Sequence, residues 1–243
     1  AYELSLGLVG SEMCIRDSAG IAGNGQLELM AALSGETGAP DAGHVRILGT
    51  EATRLDPVQR RILGAVFVPE ERIGHAAVAD LTLVDNSYLT AAGRMKFSDR
   101  GLIDWPAVSK FTESIVDEFD VRTTSVDALA SSLSGGNLQK FIVGREILQE
   151  PKLLVVSQPT WGVDAGAAAS IHDQIQRLAS QGVGVLMISQ DLDEIFLLSH
   201  CVAVISQGTL SEATAITDVT PEDIGLLMGE RHTEEPEDRR AST

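Results

Sequence analysis

The stretch LSGGNLQK at residues 133–140 carries the strongest structural signal in the sequence. A serine and two glycines stand directly before a run in which Leu138, Phe141 and Ile142 fall on one broad face of a helix. The N–H groups and the dipole at a helix N-terminus favour negative charge, and a serine hydroxyl adds a further hydrogen-bonding group. The stretch therefore predicts a helix that begins at an anion-binding turn.

The residues after this helix predict an α/β fold. Pro151 ends the helix, and the apolar run 153–156 leads directly into Ser157 and Gln158. Short apolar runs of this kind are typical of strands that are covered on both faces. Two more such runs follow, at 185–188 and 202–205, and a helical stripe of apolar residues lies before the first of them. Because helices and strands alternate, we expect a mainly parallel sheet.

The first half of the chain continues this alternation. A glycine-rich turn at 20–25 leads into a predicted helix at 27–33. Short strands are predicted at 45–48 and 65–68, where apolar residues cluster between turn residues. The early part of the chain therefore predicts short strands beside a glycine-rich strand-to-helix turn.

Two further helices start at aspartates in this half. Asp56 is followed by Pro57, and Asp104 also has a proline close behind it. Asp can cap a helix and Pro is tolerated in its first turn, so both sites are typical helix starts. Residues 81–133 show little alternation of Val and Ile and predict a helical subdomain. We expect one α/β domain over residues 19–229 that contains this subdomain.

The composition excludes some classes of function. The 243 residues fit one large domain, and 44% of them are hydrophobic, enough to bury a core. With 18 basic and 35 acidic residues the net charge is −17, which disfavours binding to a nucleic-acid backbone. Two cysteines without metal-ligand spacing predict no metal site, and no apolar run approaches the ~20 residues that cross a bilayer.

Both termini are expected to lie outside the folded domain. Residues 1–18 contain EMCIRDS at 12–18, which is similar to translated sequencing-adapter sequence, and we interpret the segment as non-native. The alternative is a genuine first strand at 4–9. Residues 230–243 are charged and carry no apolar residues that could pack, so they predict a disordered tail.

The stretch GIAGNGQL at residues 20–27 has the frame of a phosphate-binding loop, in which glycine N–H groups converge on phosphate at a helix start. That frame requires Lys and then Ser or Thr after the last glycine. A dinucleotide-binding fingerprint is excluded, because no register of the glycines gives G-x-G-x-x-G. Taken alone, the stretch favours a strand-to-helix turn without a ligand. As a phosphate-binding loop, the stretch would use Gly20, Gly23, Asn24, Gly25, Gln26 and Leu27.

Together these motifs identify a family. Residues 19–229 resemble the nucleotide-binding domain of ABC transporters. The resemblance implies a P-loop ATPase core with a mainly parallel sheet, a small antiparallel β part and an inserted helical subdomain. It also implies that the nucleotide-binding residues are Gly20, Gly23, Asn24, Gly25, Gln26 and Leu27. Residues 19–229 are most similar to the second of two tandem domains in the ATPase subunits of simple-sugar and nucleoside importers. The order and approximate spacing of six motifs carry the resemblance: NGQ at 24–26, VPEER at 68–72, LSGGN at 133–137, QPT at 158–160, GVD at 162–164 and ISQDLDE at 188–194.

Five catalytic positions depart from the family pattern. The Walker B aspartate, which helps to hold Mg²⁺, is replaced by Ser157, and the catalytic carboxylate after it by Gln158. The switch histidine is replaced by Gln190. The loop lysine is replaced by Gln26, and the hydroxyl that binds Mg²⁺ by Leu27. The resemblance therefore implies that no catalytic residue is intact here and that hydrolysis at this loop is lost.

The signature motif is retained, at Ser134, Gly135, Gly136 and Asn137, as is the D-loop Asp164. In the family two domains pair head to tail, and each nucleotide lies between one domain's phosphate loop and the other's signature. The resemblance therefore implies that this signature contacts the partner domain's ATP, with Mg²⁺ bound mainly at the partner's intact site.

The resemblance also implies partners. Pro69, Glu70, Glu71 and Arg72 occupy the region where relatives contact the transmembrane subunits. We expect a paired ABC ATPase domain upstream in the same full-length chain, transmembrane permease subunits, no nucleic acid, and a peripheral position on the cytoplasmic face of the membrane.

The preferred interpretation is thus a catalytically degenerate ATP-binding half of an ABC importer for a sugar or nucleoside. The alternatives are a soluble ABC-type ATPase, which the acidic composition disfavours, and a regulatory module that binds no nucleotide. Trp161 stands where relatives usually carry Arg, and His172 and His200 are expected on the solvated surface.

Overall fold

The computed structural model of the chain describes residues 15–20, 23–37 and 44–229. The strands of this part are β1 Ile15–Ala19, β2 Arg46–Ile47, β3 Thr50–Glu51, β4 Ala65–Val68, β5 Ser98–Asp99, β6 Leu102–Ile103, β7 Leu153–Ser157, β8 Gly184–Ser189, β9 Cys201–Ser206, β10 Thr209–Leu210 and β11 Thr214–Ala215. The helices are α1 Gln26–Ser34, α2 Pro57–Leu63, α3 Leu83–Met95, α4 Trp105–Glu118, α5 Gly135–Ile147, α6 Ala165–Ser180, α7 Leu192–Leu198 and α8 Pro221–Gly229.

A single large sheet forms the centre of the described structure. Its strand order is β10-β9-β1-β8-β7-β4, with β11 also paired to β9. The pairs among β4, β7, β8, β1 and β9 are parallel, whereas β10 and β11 run antiparallel to β9. Strands β7 and β8, which contain the apolar runs at 153–156 and 185–188, are parallel neighbours, with Val155 opposite Leu186. The C-terminal ends of β1, β7 and β8 therefore lie at one edge.

Helices cover both faces of this sheet. On one face α1 contributes Leu29, Met30 and Leu33, which pack with alternate strand residues such as Val155 and Leu186. On the other face lies a larger apolar cluster in which strand residues pack against α3, α4, α5 and α6. Because side chains alternate along a strand, a continuous apolar run such as that of β7 supplies both clusters.

Strand β1 lies between β8 and β9, in the middle of the sheet. It pairs with both neighbours, for example Ser18 with Ile188 and with Ala203. Ile15 and Ser18 are buried. The expectation that residues 1–18 lie outside the folded domain is therefore wrong for 15–18, and the domain boundary predicted after residue 18 falls inside a strand. Backbone pairing on both sides places this segment although its residues lack an apolar strand pattern. Residues 1–14 lie outside the described ranges.

The smaller elements follow local signals. Helix α2 begins after Asp56, whose side chain accepts a hydrogen bond from the Gln59 N–H at 2.8 Å in a capping box, and α4 begins after Asp104, as predicted. The strand expected at 45–48 is shorter, because Leu48 has a φ of 51° and reverses the chain into the β2–β3 pair. The interval 81–133 contains α3, α4 and the β5–β6 hairpin.

In the described residues no helix is both long and apolar enough to cross a membrane. The tail predicted to be disordered, 230–243, lies outside the described ranges.

Candidate functional site

The glycine loop follows β1 and leads into α1 at the C-terminal edge of the sheet. Gly23 and Gly25 have φ values of 85° and 116°, which favour glycine. A β-carbon at Gly25 would lie 3.2 Å from the Cα of Gly208, so the turn after β9 also excludes a side chain there. That turn holds the loop, since the Gly208 N–H donates to the carbonyl oxygen of Asn24 at 2.8 Å.

The two residues after the loop glycines provide neither a positive charge for a phosphate nor a hydroxyl for a metal. Gln26 is 4% exposed, and its Oε1 accepts a hydrogen bond from the N–H of Asn24 at 3.1 Å. Its Nε2 lies 2.5 Å from where a β-carbon of Gly20 would stand, so the side chain folds back against the loop. Leu27 is 64% exposed and presents an apolar side chain at the surface.

The other altered positions lie at the same edge. Ser157 is the last residue of β7, and Gln158 follows with a φ of 48° and donates its N–H to the Ile188 carbonyl at 2.8 Å. Both are buried. Gln190 follows β8 and is half-buried. None of the five altered positions carries a carboxylate, a cation or an imidazole; they are Gln26, Leu27, Ser157, Gln158 and Gln190.

This set of side chains does not fit ATP with Mg²⁺ at the chain's own loop. Magnesium requires hard oxygen ligands, usually carboxylates and hydroxyls, around an octahedron. Leu27 has no oxygen in its side chain, Ser157 is buried, and Gln26 is hydrogen-bonded within the loop. No catalytic step is therefore assigned to this loop.

The signature residues lie at the start of α5, as predicted. Ser134 caps the helix, and its Oγ accepts a hydrogen bond from Nδ2 of Asn137 at 2.9 Å. The Oδ1 of Asn137 accepts from the N–H of Arg122 at 2.9 Å, which holds the turn. Ser134 and Gly135 are exposed, so this helix N-terminus is open to an anion supplied from outside the domain.

The D-loop packs directly on the signature. Asp164 caps α6 by accepting hydrogen bonds from the N–H groups of Gly166 and Ala167 at 3.1 and 3.0 Å. Hydrogen bonds from Ala167 and Gly166 hold the pKa of this carboxyl below its usual value. A β-carbon at Gly136 would lie 3.1 Å from Oδ2 of Asp164. This distance is tighter than ordinary contact and favours glycine at the second glycine position of the signature.

The segment predicted to contact a permease is tied to the signature helix. Arg72 donates from Nε to Oε1 of Gln139 at 3.0 Å, and Gln139 donates from Nε2 to the carbonyl of Pro159 at 2.8 Å. Burial lowers the pKa of Arg72. Arg72 also borders a cavity of about 550 Å³ at the surface, whose lining residues are Leu27, Glu70, Glu71, Arg72, Trp161 and Gly162.

Glu194, the last residue of the motif at 188–194, is a buried carboxylate near the site whose partners the sequence does not predict. Glu194 is 3% exposed and accepts hydrogen bonds from the hydroxyls of Thr160 and Ser189, both at 2.7 Å, and pairs with Nε2 of His172 at 2.8 Å. The prediction that His172 is solvated is wrong, since its side chain is 17% exposed and faces this carboxylate. His200 is exposed, as predicted.

Comparison with solved structures identifies the fold, although no family model matches the chain. A dimeric ATP-binding cassette in a post-hydrolysis state, bound to ADP and phosphate, superposes with a TM-score of 0.71 at 18% identity, covering 84% of this chain and 86% of that one. The chain has the ABC ATPase fold. The chain also superposes on a transporter cassette in its ADP conformation, with a TM-score of 0.68 at 21% identity over 90% of this chain and 89% of that one. The predicted α/β core with a mainly parallel sheet is confirmed.

The sequence of the chain is similar to named import proteins. It is 38% identical over 212 residues to a glucose import ATP-binding protein of Haloferax volcanii, covering 86% of this chain and 38% of that protein. It is 37% identical over 210 residues to a nucleoside import ATP-binding protein of Lactococcus lactis, covering 86% and 41%. A guanosine import ATP-binding protein of Bacillus subtilis is 35% identical over 226 residues, covering 93% and 44%. The chain spans about two fifths of the length of these curated relatives.

Proposed function

We propose that the chain is the degenerate ATP-binding half of an ABC importer for a sugar or nucleoside, and that it supplies its signature to ATP bound by a partner domain. The observation that carries the proposal is the contrast between two helix N-termini. The start of α5, at Ser134 and Gly135, is exposed and has the residues an anion site needs. The start of α1 is occupied by the buried Gln26 side chain and the exposed Leu27.

Loss of chemistry at the chain's own loop follows from the residue types. A neutral amide at Gln158 cannot accept a proton from water, and a general base typically contributes ~10²–10⁴ in rate. Without a lysine at Gln26 or a metal ligand at Leu27, no fixed positive charge opposes the charge that develops on a transferring phosphoryl group. Each loss alone slows hydrolysis, and together they abolish it.

The signature acts on the partner's nucleotide in this scheme. The Ser134 hydroxyl and the first amides of α5 would donate hydrogen bonds to a phosphate held by the other domain, in a direction that the helix dipole favours. Asp164, packed against Gly136, keeps the adjacent segment next to this surface. When bound, ATP with Mg²⁺ supplies the reactive phosphoryl group and the metal charge at the partner's loop.

The partners follow from the same scheme. The paired ATPase domain would precede this one in a full-length chain, and the segment containing Pro69, Glu70, Glu71 and Arg72 would contact a transmembrane permease on the cytoplasmic side of the membrane. The import of glucose and nucleosides by the named relatives supports a sugar or nucleoside as the solute. A net charge of −17 supports a protein partner rather than a nucleic acid.

The test measures ATP hydrolysis by the reconstituted transporter with the full-length subunit. Ser134→Arg should reduce the rate by about 10²-fold or more, because the new side chain fills the phosphate space and blocks the aligned amides. Ser131→Arg is the matched control, since Ser131 is also an exposed serine but lies three residues before Ser134 and outside the signature. Gln26→Lys alone should change the rate little, because Ser157 and Gln158 still lack the metal ligand and the base. Near-normal hydrolysis in Ser134→Arg, or a large gain in Gln26→Lys, would rule out this role.

A further inference from the structure

The loop at 158–164 joins β7 to α6 and carries two residues that face outward near the signature. Trp161 is 65% exposed, and Asp164 lies beside Gly136. The loop begins in an unfavourable conformation, because Gln158 has a φ of 48° although it is not a glycine. Contacts from the surrounding structure must therefore hold it.

One contact comes from the signature helix. Gln139 is 1% exposed, and both ends of its amide are used: Nε2 donates to the Pro159 carbonyl at 2.8 Å, and Oε1 accepts from Nε of Arg72 at 3.0 Å. A buried amide that satisfies a donor and an acceptor at once has a fixed orientation. Gln139 thus connects the loop with the segment that contains Arg72.

A second contact comes from α7. Glu194 accepts the Thr160 hydroxyl at Oε1, and the Ser189 hydroxyl at Oε2, each at 2.7 Å. Burial raises the pKa of Glu194, but hydrogen bonds from His172, Ser189 and Thr160 outweigh it and hold the pKa below its usual value. The carboxylate is therefore ionised at neutral pH, and hydrogen bonds to an ionised acceptor are the stronger kind.

The two contacts fall on consecutive residues, Pro159 and Thr160, and come from different elements, α5 and α7. We propose that Gln139 and Glu194 are positioning residues that hold the loop 158–164 from both sides, so that Trp161 and Asp164 are presented to the partner domain at a fixed position. This inference rests on the proposed function, in which the signature and Asp164 face the partner's ATP.

The arrangement also joins three parts of the domain. A continuous path of hydrogen bonds runs from Arg72 through Gln139 to the backbone of the loop, and from Thr160 through Glu194 to Ser189. Ser189 directly precedes the altered switch position. Removal of either contact should loosen the loop, and misplacement of groups near a reacting phosphate by about 1 Å can cost ~10²-fold in rate.

The test uses Trp161 as a probe of loop order. The chain has two tryptophans, so Trp105→Phe leaves Trp161 as its single tryptophan. Thr160→Val removes the hydroxyl at constant shape, and Thr160→Ser is the matched control that keeps it. Gln139→Glu keeps the acceptor for Arg72 but removes the donor to Pro159. Time-resolved anisotropy of the 243-residue chain should show the amplitude of nanosecond motion rising about twofold in Thr160→Val and Gln139→Glu but not in Thr160→Ser.

The same variants are then measured in the reconstituted transporter. Thr160→Val and Gln139→Glu should lower kcat about tenfold and leave KM for ATP within about twofold, because the loop orients groups without contributing most of the ATP contacts. Thr160→Ser should keep both constants. The proposal is overturned if Thr160→Val or Gln139→Glu shows the same anisotropy as Thr160→Ser. It is also overturned if either of these two variants loses kcat without an increase in loop motion. If Ser134→Arg hydrolyses ATP normally, the proposed function fails, and the anisotropy alone still decides whether the loop is held as described.

Discussion

Arg145 and Glu146, consecutive residues of α5, form an ion pair inside the protein, with Nε of Arg145 2.9 Å from Oε1 of Glu146. Their exposed fractions are 1% and 0%. Arg145 also donates to the carbonyls of Asn86 and Ala76 at 3.1 and 2.9 Å, and Glu146 pairs with Arg61. The far end of the signature helix is thereby fixed to α3 and α2.

Removal of the Glu146 charge should destabilise the domain strongly. Glu146→Gln leaves Arg145 buried without a full counter-charge, and breaking one partner of a buried pair typically costs ~3–5 kcal/mol. Urea unfolding measures the change. Glu113→Gln, on the exposed side of α4, is the control and should shift the free energy of unfolding by less than about 0.5 kcal/mol. Equal effects of the two substitutions would contradict the role of the pair.

The same ion pair should give the domain an acid-sensitive stability. Burial raises the pKa of Glu146, but Arg61 and Arg145 outweigh it and hold the pKa below the ordinary 4.5. A depressed folded-state pKa contributes stability that is complete above 4.5 and is lost as the pH falls through the folded value. The difference in unfolding free energy between wild type and Glu146→Gln should therefore be constant near neutral pH and shrink in acid. A difference in unfolding free energy that grows as the pH falls would contradict a lowered pKa of Glu146 in the folded protein.

Two buried serines on neighbouring strands should respond in opposite directions to replacement by alanine. Within the described residues the Oγ of Ser18 in β1 has no hydrogen-bond partner, whereas the Oγ of Ser189 in β8 donates to Glu194 at 2.7 Å. Ser18→Ala removes an unpaired polar group and should raise the unfolding free energy by about 1 kcal/mol. Ser189→Ala leaves the carboxylate short of a donor and should lower it by about 1–3 kcal/mol. Thermal or urea unfolding compares them directly, and shifts of the same sign would refute the assignment.

The sequence predicts the parts of this fold that depend on local signals. The caps at Asp56 and Asp104 and the apolar runs of β7 and β8 each act within a few residues, so their patterns are readable along the chain. Strand β1 has no such pattern, since most of its residues are polar or small and rarely favour strands. Its place in the sheet comes from backbone pairing with both neighbouring strands, which is not visible along the sequence.

The candidate site likewise contains residues that a local motif predicts and residues whose contacts no local motif predicts. Ser134 and the residues after it form a contiguous motif, and the structure places them at a helix start as expected. Gln139 and Glu194 reach partners 20 and 34 residues away. Neither has a local pattern that identifies the contact, and the hydrogen bond from His172 to Glu194 likewise depends on how α6 and α7 pack. Such contacts exist only once the sheet has brought its helices together.

The contact between Gly136 and Asp164 gives a prediction that separates hydrolysis from stability. A β-carbon at Gly136 would stand 3.1 Å from Oδ2 of Asp164, tighter than ordinary contact, so Gly136→Ala must displace the aspartate or the start of α5. Alanine also favours a helix over glycine by about 1 kcal/mol, which offsets the stability cost. We expect an unfolding free energy close to that of wild type, together with a fall of about tenfold or more in ATP hydrolysis by the assembled transporter.

Gly93→Ala is the matched control for this substitution. Gly93 lies inside α3, and its added β-carbon would meet side chains at 3.5 Å or more, an ordinary distance. It should raise the unfolding free energy by up to about 1 kcal/mol and leave hydrolysis unchanged. If Gly136→Ala also leaves hydrolysis unchanged while unfolding normally, the packing of Asp164 on the signature does not matter for ATP bound by the partner. If only Gly136→Ala slows hydrolysis, the position of these two motifs relative to each other limits the reaction.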